Sequence, residues 1–449
     1  MKITVIGLGY LGATTAVAFA KLGHQVIGID PDESKVKALR AGSIPIYEPG
    51  LQSALTQALA AGNIQFSVGH IQESLDSQIH FLCVGTPQSK VGLSADTGYL
   101  FQAIDELLPF MSSESVIAGK STVPVGTADS IIEHVKNLTG KVPNLVWNPE
   151  FLQEGKALED SLYPNRIVIG SSNQYAAEVL KEFYKAQIDE EIPYVETDLR
   201  TAELVKVAAN AFLATKISFI NLMAEVAEVA GADTSQLATA IGFDDRIGSK
   251  FLKNGIGYGG GCLPKDLRSL VARAKELGLG DSVKLFEQVE AVNNRRRSRP
   301  MEIAKQHYGS LFGKKVLVLG ASFKPDTDDI RDSPSLEVAE LFYQEGAIVT
   351  IHDPLALSKV ASNYPTLRTQ SDINVAFEDK DVVVLGTEWS EYKSIDPTEL
   401  STIRRTSLLI DGRNCLDLGK WASAGWSVVG LGNGLSQPVS TSESNKAVA

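Results

Sequence analysis

The apolar run Ile3-Thr4-Val5-Ile6 leads directly into Gly7-Leu8-Gly9-Tyr10-Leu11-Gly12, and an alanine-rich helical stretch follows. A short β-branched run predicts a buried strand. The three glycines then allow a tight turn, approach of backbone to a pyrophosphate, and close packing of the next helix, whose N-terminus faces the phosphates. A second apolar run, Gln25 to Asp30, ends in an acid. An acid there would accept hydrogen bonds from ribose hydroxyls and repel a 2′-phosphate, so the pattern predicts NAD rather than NADP. The stretch also imitates a signal peptide, with Lys2 before an uncharged segment from Ile3 to Ala20 that ends Ala-Phe-Ala. Its glycines and the pair Thr14-Thr15 fit strand, turn and helix better.

The same alternation continues through Phe81 to Val84 and Ile167 to Ile169, which implies βαβ units and a buried parallel sheet. With 449 residues, about three times the roughly 150 expected per domain, several domains are expected. From Leu199 to Ala230 the pattern becomes one long helical stretch without proline, suited to a spine between domains. A second helical region reaches Arg299, and after Pro300 the βαβ pattern returns at Val316 to Gly320, Ile348 to Asp353, Val382 to Leu385 and Leu408 to Asp411. The expected fold is α/β, with two Rossmann-like doubly wound domains joined by a long central helix and a helical middle region. The boundaries read as a first Rossmann-like domain at 1–198, a central helical domain at 199–299, a C-terminal Rossmann-like domain at 300–435 and a disordered tail at 436–449. Gly320-Ala321-Ser322 lacks the full glycine pattern, so a different nucleotide is expected there.

The net charge of −12 opposes nucleic acid, whose binding rests on Lys and Arg neutralising phosphates. No other segment reads as long and apolar enough to span a membrane. Cys83, Cys262 and Cys415 are widely spaced and form no Cys-x-x-Cys pair, which points to thiols in a reducing cytoplasm. The basic run Arg295, Arg296, Arg297 and Arg299 reads as cations at a helix end, favoured by the helix dipole.

Cys262 lies in Gly255-Ile256-Gly257-Tyr258-Gly259-Gly260-Gly261-Cys262-Leu263-Pro264-Lys265-Asp266. Glycines so dense give no core and suit backbone that approaches a ligand. Pro264 suits the first turn of a helix, which sets Cys262 at a helix N-terminus near Lys265, and both features lower a thiol pKa. Cys262 is therefore a candidate nucleophile, whereas Cys83 and Cys415 read as packing residues. Lys206 and Asn210, four apart, project from one helix face and suit stabilisation of an oxyanion, or else a solvated face. Glu150 and Glu154 in Asn148-Pro149-Glu150-Phe151-Leu152-Gln153-Glu154-Gly155 read equally well as site carboxylates or surface charges.

With these residues stands an ordered series of motifs: GLGYLG, VGTP, STVPVGT, NPEFLQEG, ELVKVAANAFLATKISFIN, FLKNGIGYGGGCLPKD, FKPDTDDIRDSPS and DGRN. By these the chain resembles the UDP-glucose/GDP-mannose dehydrogenase family from Met1 to about residue 432, its UDP-glucose branch most of all. The resemblance implies an NAD-dependent four-electron oxidation of a sugar C6 alcohol, that of UDP-glucose, to a carboxylate. Cys262 matches the family nucleophile, which would form a thiohemiacetal and then a thioester. Lys206 and Asn210 match residues holding negative charge on oxygen, Asp266 and Thr122 those placing water and proton transfers, and Glu154 an acid or base near the nicotinamide.

By the same matching, Asp30, Lys35, Thr86, Thr122, Glu154, Lys265 and Arg331 would contact NAD together with the glycine turn. The loop Glu150, Phe151, Leu152, Gln153 and Glu154 would hold the UDP-sugar, with Lys206 and Asn210. So would the segment Phe251, Leu252, Lys253, Asn254 and Gly255, with Tyr258, Gly259 and Lys324. Arg246 matches an arginine that crosses from a partner subunit, which implies a homodimer through the long helix. Gly261 stands where the family often has serine or proline. Relatives acting on GDP-mannose, UDP-N-acetylmannosamine or UDP-N-acetylglucosamine are the nearest alternatives, and a non-catalytic NAD or nucleotide-sugar sensor is another. A short-chain epimerase is excluded, because none of the 12 tyrosines is followed by lysine four residues on.

Overall fold

A computed structural model describes residues 1–89, 92–400 and 407–433, so the 436–449 tail lies outside the described residues. The chain divides into two compact units, one of Met1–Asn210 with Lys265–Gly280 and the other of Ala211–Pro264 with Asp281 onward.

The first unit is built on a sheet of β1 (Lys2–Ile6), β2 (Gln25–Ile29), β3 (Ile64–Ser67), β4 (Ile79–Leu82), β5 (Val116–Gly119), β6 (Asn144–Trp147), β7 (Ile167–Ser171) and β8 (Tyr194–Thr197). Its order is β3-β2-β1-β4-β5-β6-β7-β8, so the winding reverses between β1 and β4 and leaves a crevice at their C-terminal ends. Strands buried on both faces account for the continuous apolar runs: Ile3, Val5, Phe81, Ile117 and Val146 are fully buried. One pairing departs from the expected parallel sheet, since β7 runs antiparallel to β6, with Trp147 opposite Gly170. A reversed strand needs no crossover. The connection 148–166 therefore stays at the C-terminal end of the sheet, the end that carries the glycine turn, and this places the NPEFLQEG segment there.

The second sheet, β9 (Lys315–Leu319), β10 (Ile348–His352), β11 (Arg368–Thr369), β12 (Val382–Leu385), β13 (Leu408–Asp411) and β14 (Ser427–Gly430), is parallel throughout. Its order β11-β10-β9-β12-β13-β14 repeats the doubly wound plan.

A spine helix spans Leu199–Ala230 and stops at Gly231, whose φ of 74° lies in the left-handed region that favours glycine after a helix. Among the described residues it is the one helix long and apolar enough to cross a membrane, with mean hydropathy 1.4 over its 18-residue window. This corrects the sequence reading that no such segment exists. Several polar side chains along it find partners within one unit or the other. Glu203 bonds to the amides of Gly126 and Ala128, Asn210 to Asp266, Ser218 to the Val289 carbonyl and Asn221 to the Gly255 amide, as suits a core helix.

The arginine run needs a second correction. The helix Lys284–Tyr308 carries Pro300 in its interior and continues well past it, so the arginines are not at a helix end. The proline ring removes one backbone hydrogen bond. Ion pairs hold the helix before it, Arg295 with Glu225 at 2.9 Å, Arg296 and Arg299 with Glu228 at 3.2 and 2.9 Å, and Arg297 with Glu337, and beyond it Lys305 pairs with Glu345 at 2.8 Å. Arg296 and Arg297 are buried.

Candidate active site

At the end of β1 the chain turns through Gly7, with φ of 88°, and enters a helix at Tyr10. A side chain at Gly12 would place its Cβ 1.7 Å from the Gly7 carbonyl oxygen, so only glycine lets the helix pack on the turn. A Cβ at Gly9 would meet nothing within 4 Å, and no side chain caps this helix among the described residues. Open space before uncapped amide N–H groups suits a pyrophosphate. Asp30 lies beside it, buried, accepting the Leu8 amide at 2.7 Å and pairing with Lys35 at 2.8 Å. The turn therefore fits NAD. Thr86, beyond β4, donates its hydroxyl to the Thr122 carbonyl beyond β5 at 2.7 Å, which ties the two strand-end loops together.

The second sheet has an acid at the corresponding place, but its oxygens are filled. Asp353 accepts the amides of Ala321, Ser322, Leu355 and Ala356 at 2.7 to 3.0 Å and is buried. It braces its own turn and leaves no oxygen for a ribose.

In the first unit a polar cluster lies largely out of water, with Lys206, Asn210 and Asp266 all buried. Lys206 pairs with Glu150 at 2.9 Å, their side chains 5 % and 12 % exposed, so this glutamate is no surface charge. One turn along, Asn210 donates to Asp266 at 2.6 Å, and Lys265 pairs with the other oxygen of Asp266 at 2.7 Å. Phe151 carries Arg166 over its ring at 3.6 Å. A buried cation and an amide donor, each fixed by a carboxylate, suit the stabilisation of negative charge on an oxygen.

Three further residues of this unit escaped the sequence reading. Lys120, buried, donates to Asn148 at 2.9 Å and to the Tyr184 hydroxyl at 3.3 Å, and burial lowers its pKa to about 8. Glu203, three residues before Lys206, accepts the amides of Gly126 and Ala128 at 2.7 and 2.6 Å, at the start of the helix Thr127–Thr139 that follows Thr122. Glu48 accepts the amides of Gly155 and Ala157 at 2.8 and 2.7 Å. Each is a single charged residue without a local pattern; the spacing Glu203-x-x-Lys206, which puts the two on one helix face, is the one local sign of Glu203.

Cys262 is exposed and immediately precedes the helix Leu263–Glu276, with Pro264 in the first turn. Cys83 and Cys415 are less accessible, and burial pushes each thiol up to about 12. The glycine segment before Cys262 is held tightly within the second unit. Asn221 and Asn293 accept the amides of Gly255 and Tyr258, each at 2.8 Å, and Arg297 donates to the Tyr258 carbonyl at 2.9 Å. A Cβ at Gly259 would stand 2.1 Å from the Asp332 carbonyl oxygen, and one at Gly261 would strike the Arg331 guanidinium at 2.3 Å. Arg331 also pairs with Asp329 at 2.6 Å. Asn254 donates to the Leu431 carbonyl at 2.7 Å, Leu252 is buried, and Phe251 has a left-handed φ of 63°. Arg246 projects outward, 89 % exposed, on a 2.6 Å pair with Asp244. Lys324 lies over the Phe323 ring at 5.7 Å.

Models of the UDP-glucose/GDP-mannose dehydrogenase family match the chain three times over: the NAD binding domain at residues 1–188, the central domain at 200–295 and the UDP binding domain at 317–418. The chain belongs to this family. It is an NAD-dependent oxidoreductase. Among its relatives, a UDP-glucose 6-dehydrogenase of Rhizobium meliloti is 40 % identical over 436 residues, covering 96 % of this chain and 99 % of that one. TuaD, a UDP-glucose 6-dehydrogenase of Bacillus subtilis, is 38 % identical over 96 % of this chain and 93 % of its own length. Of solved structures, a UDP-glucose dehydrogenase from Pyrobaculum islandicum superposes with a TM-score of 0.88 at 36 % identity, covering 97 % of this chain and 98 % of the other. A UDP-D-ManNAc dehydrogenase from Pyrococcus horikoshii gives 0.84 at 28 % identity, covering 97 % and 100 %.

Proposed function

We propose that this dehydrogenase oxidises the C6 hydroxyl of UDP-glucose to a carboxylate, producing UDP-glucuronate and two NADH. The observation that carries the chemistry is the buried cluster in which Glu150 fixes Lys206 and Asp266 fixes Asn210. The choice of sugar is supported by the relatives named for UDP-glucose at 36 to 40 % identity.

NAD, when bound, would supply the hydride acceptor for each of the two oxidations, a second NAD replacing the first NADH between them. The glycine turn, Tyr10, Leu11, Asp30, Lys35, Thr86, Thr122, Glu154, Lys265 and Arg331 are the residues proposed to hold it. As the alcohol loses its O–H proton, charge builds on oxygen, where Lys206 and Asn210 stabilise it. The Cys262 thiolate then adds to the aldehyde carbon and the oxygen takes a proton, giving a thiohemiacetal. Loss of the second hydride and of the hydroxyl proton leaves a thioester. Water adds to its carbonyl, the C–S bond breaks, and acid and thiolate are released. Asp266, Thr122 and Glu154 are assigned to placing the water and moving these protons. The UDP-sugar is assigned to the loop Glu150–Glu154, the segment Phe251–Gly255, Tyr258, Gly259 and Lys324.

A homodimer through the spine helix belongs to the same proposal, with Arg246 contributed across it. Phe212, Phe219, Leu222, Val226 and Val229 are all exposed, at spacings of seven, three, four and three, which puts them on one helix face. A cytoplasmic setting is part of the reading too, supported by three cysteines outside any disulfide. The domain boundaries proposed are 1–198, 199–299 and 300–435.

The test is NADH formation by purified protein with UDP-glucose, alongside NADP and other nucleotide sugars. About two NADH per sugar is expected from a four-electron oxidation. Turnover of another nucleotide sugar alone would replace the substrate and keep the chemistry, and no turnover with any of them would favour the sensor. Cys262→Ser is expected to bind both ligands and form no acid; normal turnover by this variant would end the covalent mechanism.

A further inference from the structure

We propose that Glu48 is a positioning residue that joins the NAD turn to the loop 150–155. The proposal rests on the reading of that loop as part of the substrate site.

Glu48 is 6 % exposed, and among the described residues no cation pairs with it. Its partners are all donors from two places. One is Tyr10, the first residue of the helix that opens at the glycine turn, whose hydroxyl donates to Glu48 Oε2. The other is the far end of the NPEFLQEG loop: the Gly155 amide donates to the same oxygen at 2.8 Å and the Ala157 amide to Oε1 at 2.7 Å. The Gly155 amide also reaches the Tyr10 oxygen at 3.1 Å, which closes a three-membered ring of bonds. Burial and the neighbouring carboxylate push the Tyr10 hydroxyl far up, so it keeps its proton and stays a donor. A carboxylate taken out of water without a cation is costly unless donors fill its oxygens. Here the donors are a side chain of the cofactor turn and the backbone of the loop whose other end carries Glu150 on Lys206. Order at the turn is thus transmitted to the loop through one carboxylate.

The test needs no nucleotide sugar. NAD affinity is measured by calorimetry on full-length protein, with hydrogen exchange at the Gly155 and Ala157 amides, for Glu48→Gln, Tyr10→Phe and the double variant. Loss of one charge-assisted hydrogen bond corresponds to about tenfold in affinity. Each single variant is expected to weaken NAD by about that much, the double no more than the weaker single, and NAD is expected to slow exchange at Gly155 in the natural protein but not in Tyr10→Phe. Unchanged NAD affinity in both variants, full multiplication of their effects, or NAD protection of Gly155 surviving in Tyr10→Phe would each overturn the proposal. If Glu48→Gln fails to fold, Tyr10→Phe decides, because it leaves the Gly155 and Ala157 amide bonds to Glu48 in place. Failure of the natural protein to oxidise UDP-glucose would sink the substrate reading and leave these binding results standing.

Discussion

At Glu203, burial and hydrogen bonding pull in opposite directions. Burial disfavours the carboxylate and two backbone amides favour it, and burial wins, raising the pKa from 4.5 to about 7. An acid whose folded pKa lies above its unfolded one holds its proton more tightly when folded. Its contribution therefore favours folding below about pH 4.5 and is lost as pH rises through 7. At about 1.4 kcal/mol per unit the swing is on the order of 3 kcal/mol. Thermal unfolding of the natural protein and Glu203→Gln from pH 4 to 8 checks this: natural-protein stability is expected to fall relative to the variant between about pH 5 and 7, and parallel curves would refute it. Gly12 makes a second prediction. The Cβ of Gly12→Ala would fall on backbone, which has nowhere to yield, so a loss of about 1–3 kcal/mol in urea unfolding and of NAD binding by calorimetry is expected. The role of Gly12 was legible from spacing alone, whereas Glu203 looked like any other helix acid.

The two longest helices among the described residues show how far element-level reading reaches. The spine's limits, Leu199 and Ala230, follow from its unbroken pattern and from Gly231. Pro300, by contrast, suggested an end where the helix Lys284–Tyr308 carries on, because ion pairs to residues about 70 positions away hold it. Glu228 accepts Arg296 and Arg299 together with the Gly432 amide. Its removal in Glu228→Ala would strand Arg296, a guanidinium 1 % exposed, and an unfolding cost of about 3–5 kcal/mol is expected. The pair Arg295–Glu225 reaches solvent, with the arginine 52 % exposed, so Arg295→Ala is expected to cost no more than about 1 kcal/mol. Urea titrations of both variants compare the two directly, and equal costs would mean that burial does not set the strength of this network.

For the whole molecule, the exposed row from Phe212 to Val229 bears on assembly. A dimer through that face is expected in light scattering, and Val229→Glu, which puts a charge on a side chain now 87 % exposed, is expected to shift the mass toward one chain. A natural protein that runs as a monomer at micromolar concentration would end the proposal. The sequence by itself determined the strand, glycine turn and helix at which NAD is proposed to sit, the return of the doubly wound plan after the helical middle, and the helix that starts just after Cys262. Each is written in neighbouring residues, since turn geometry and hydrophobic period act over a few positions. Only the tertiary structure decided that β7 reverses and keeps the 148–166 connection at the ligand end, that Glu150 is the counter-ion of Lys206, and that Glu48 gathers Tyr10 and Gly155. Those outcomes depend on which charges lose their water together, and partners 38 to 107 residues apart leave no periodic trace in the chain.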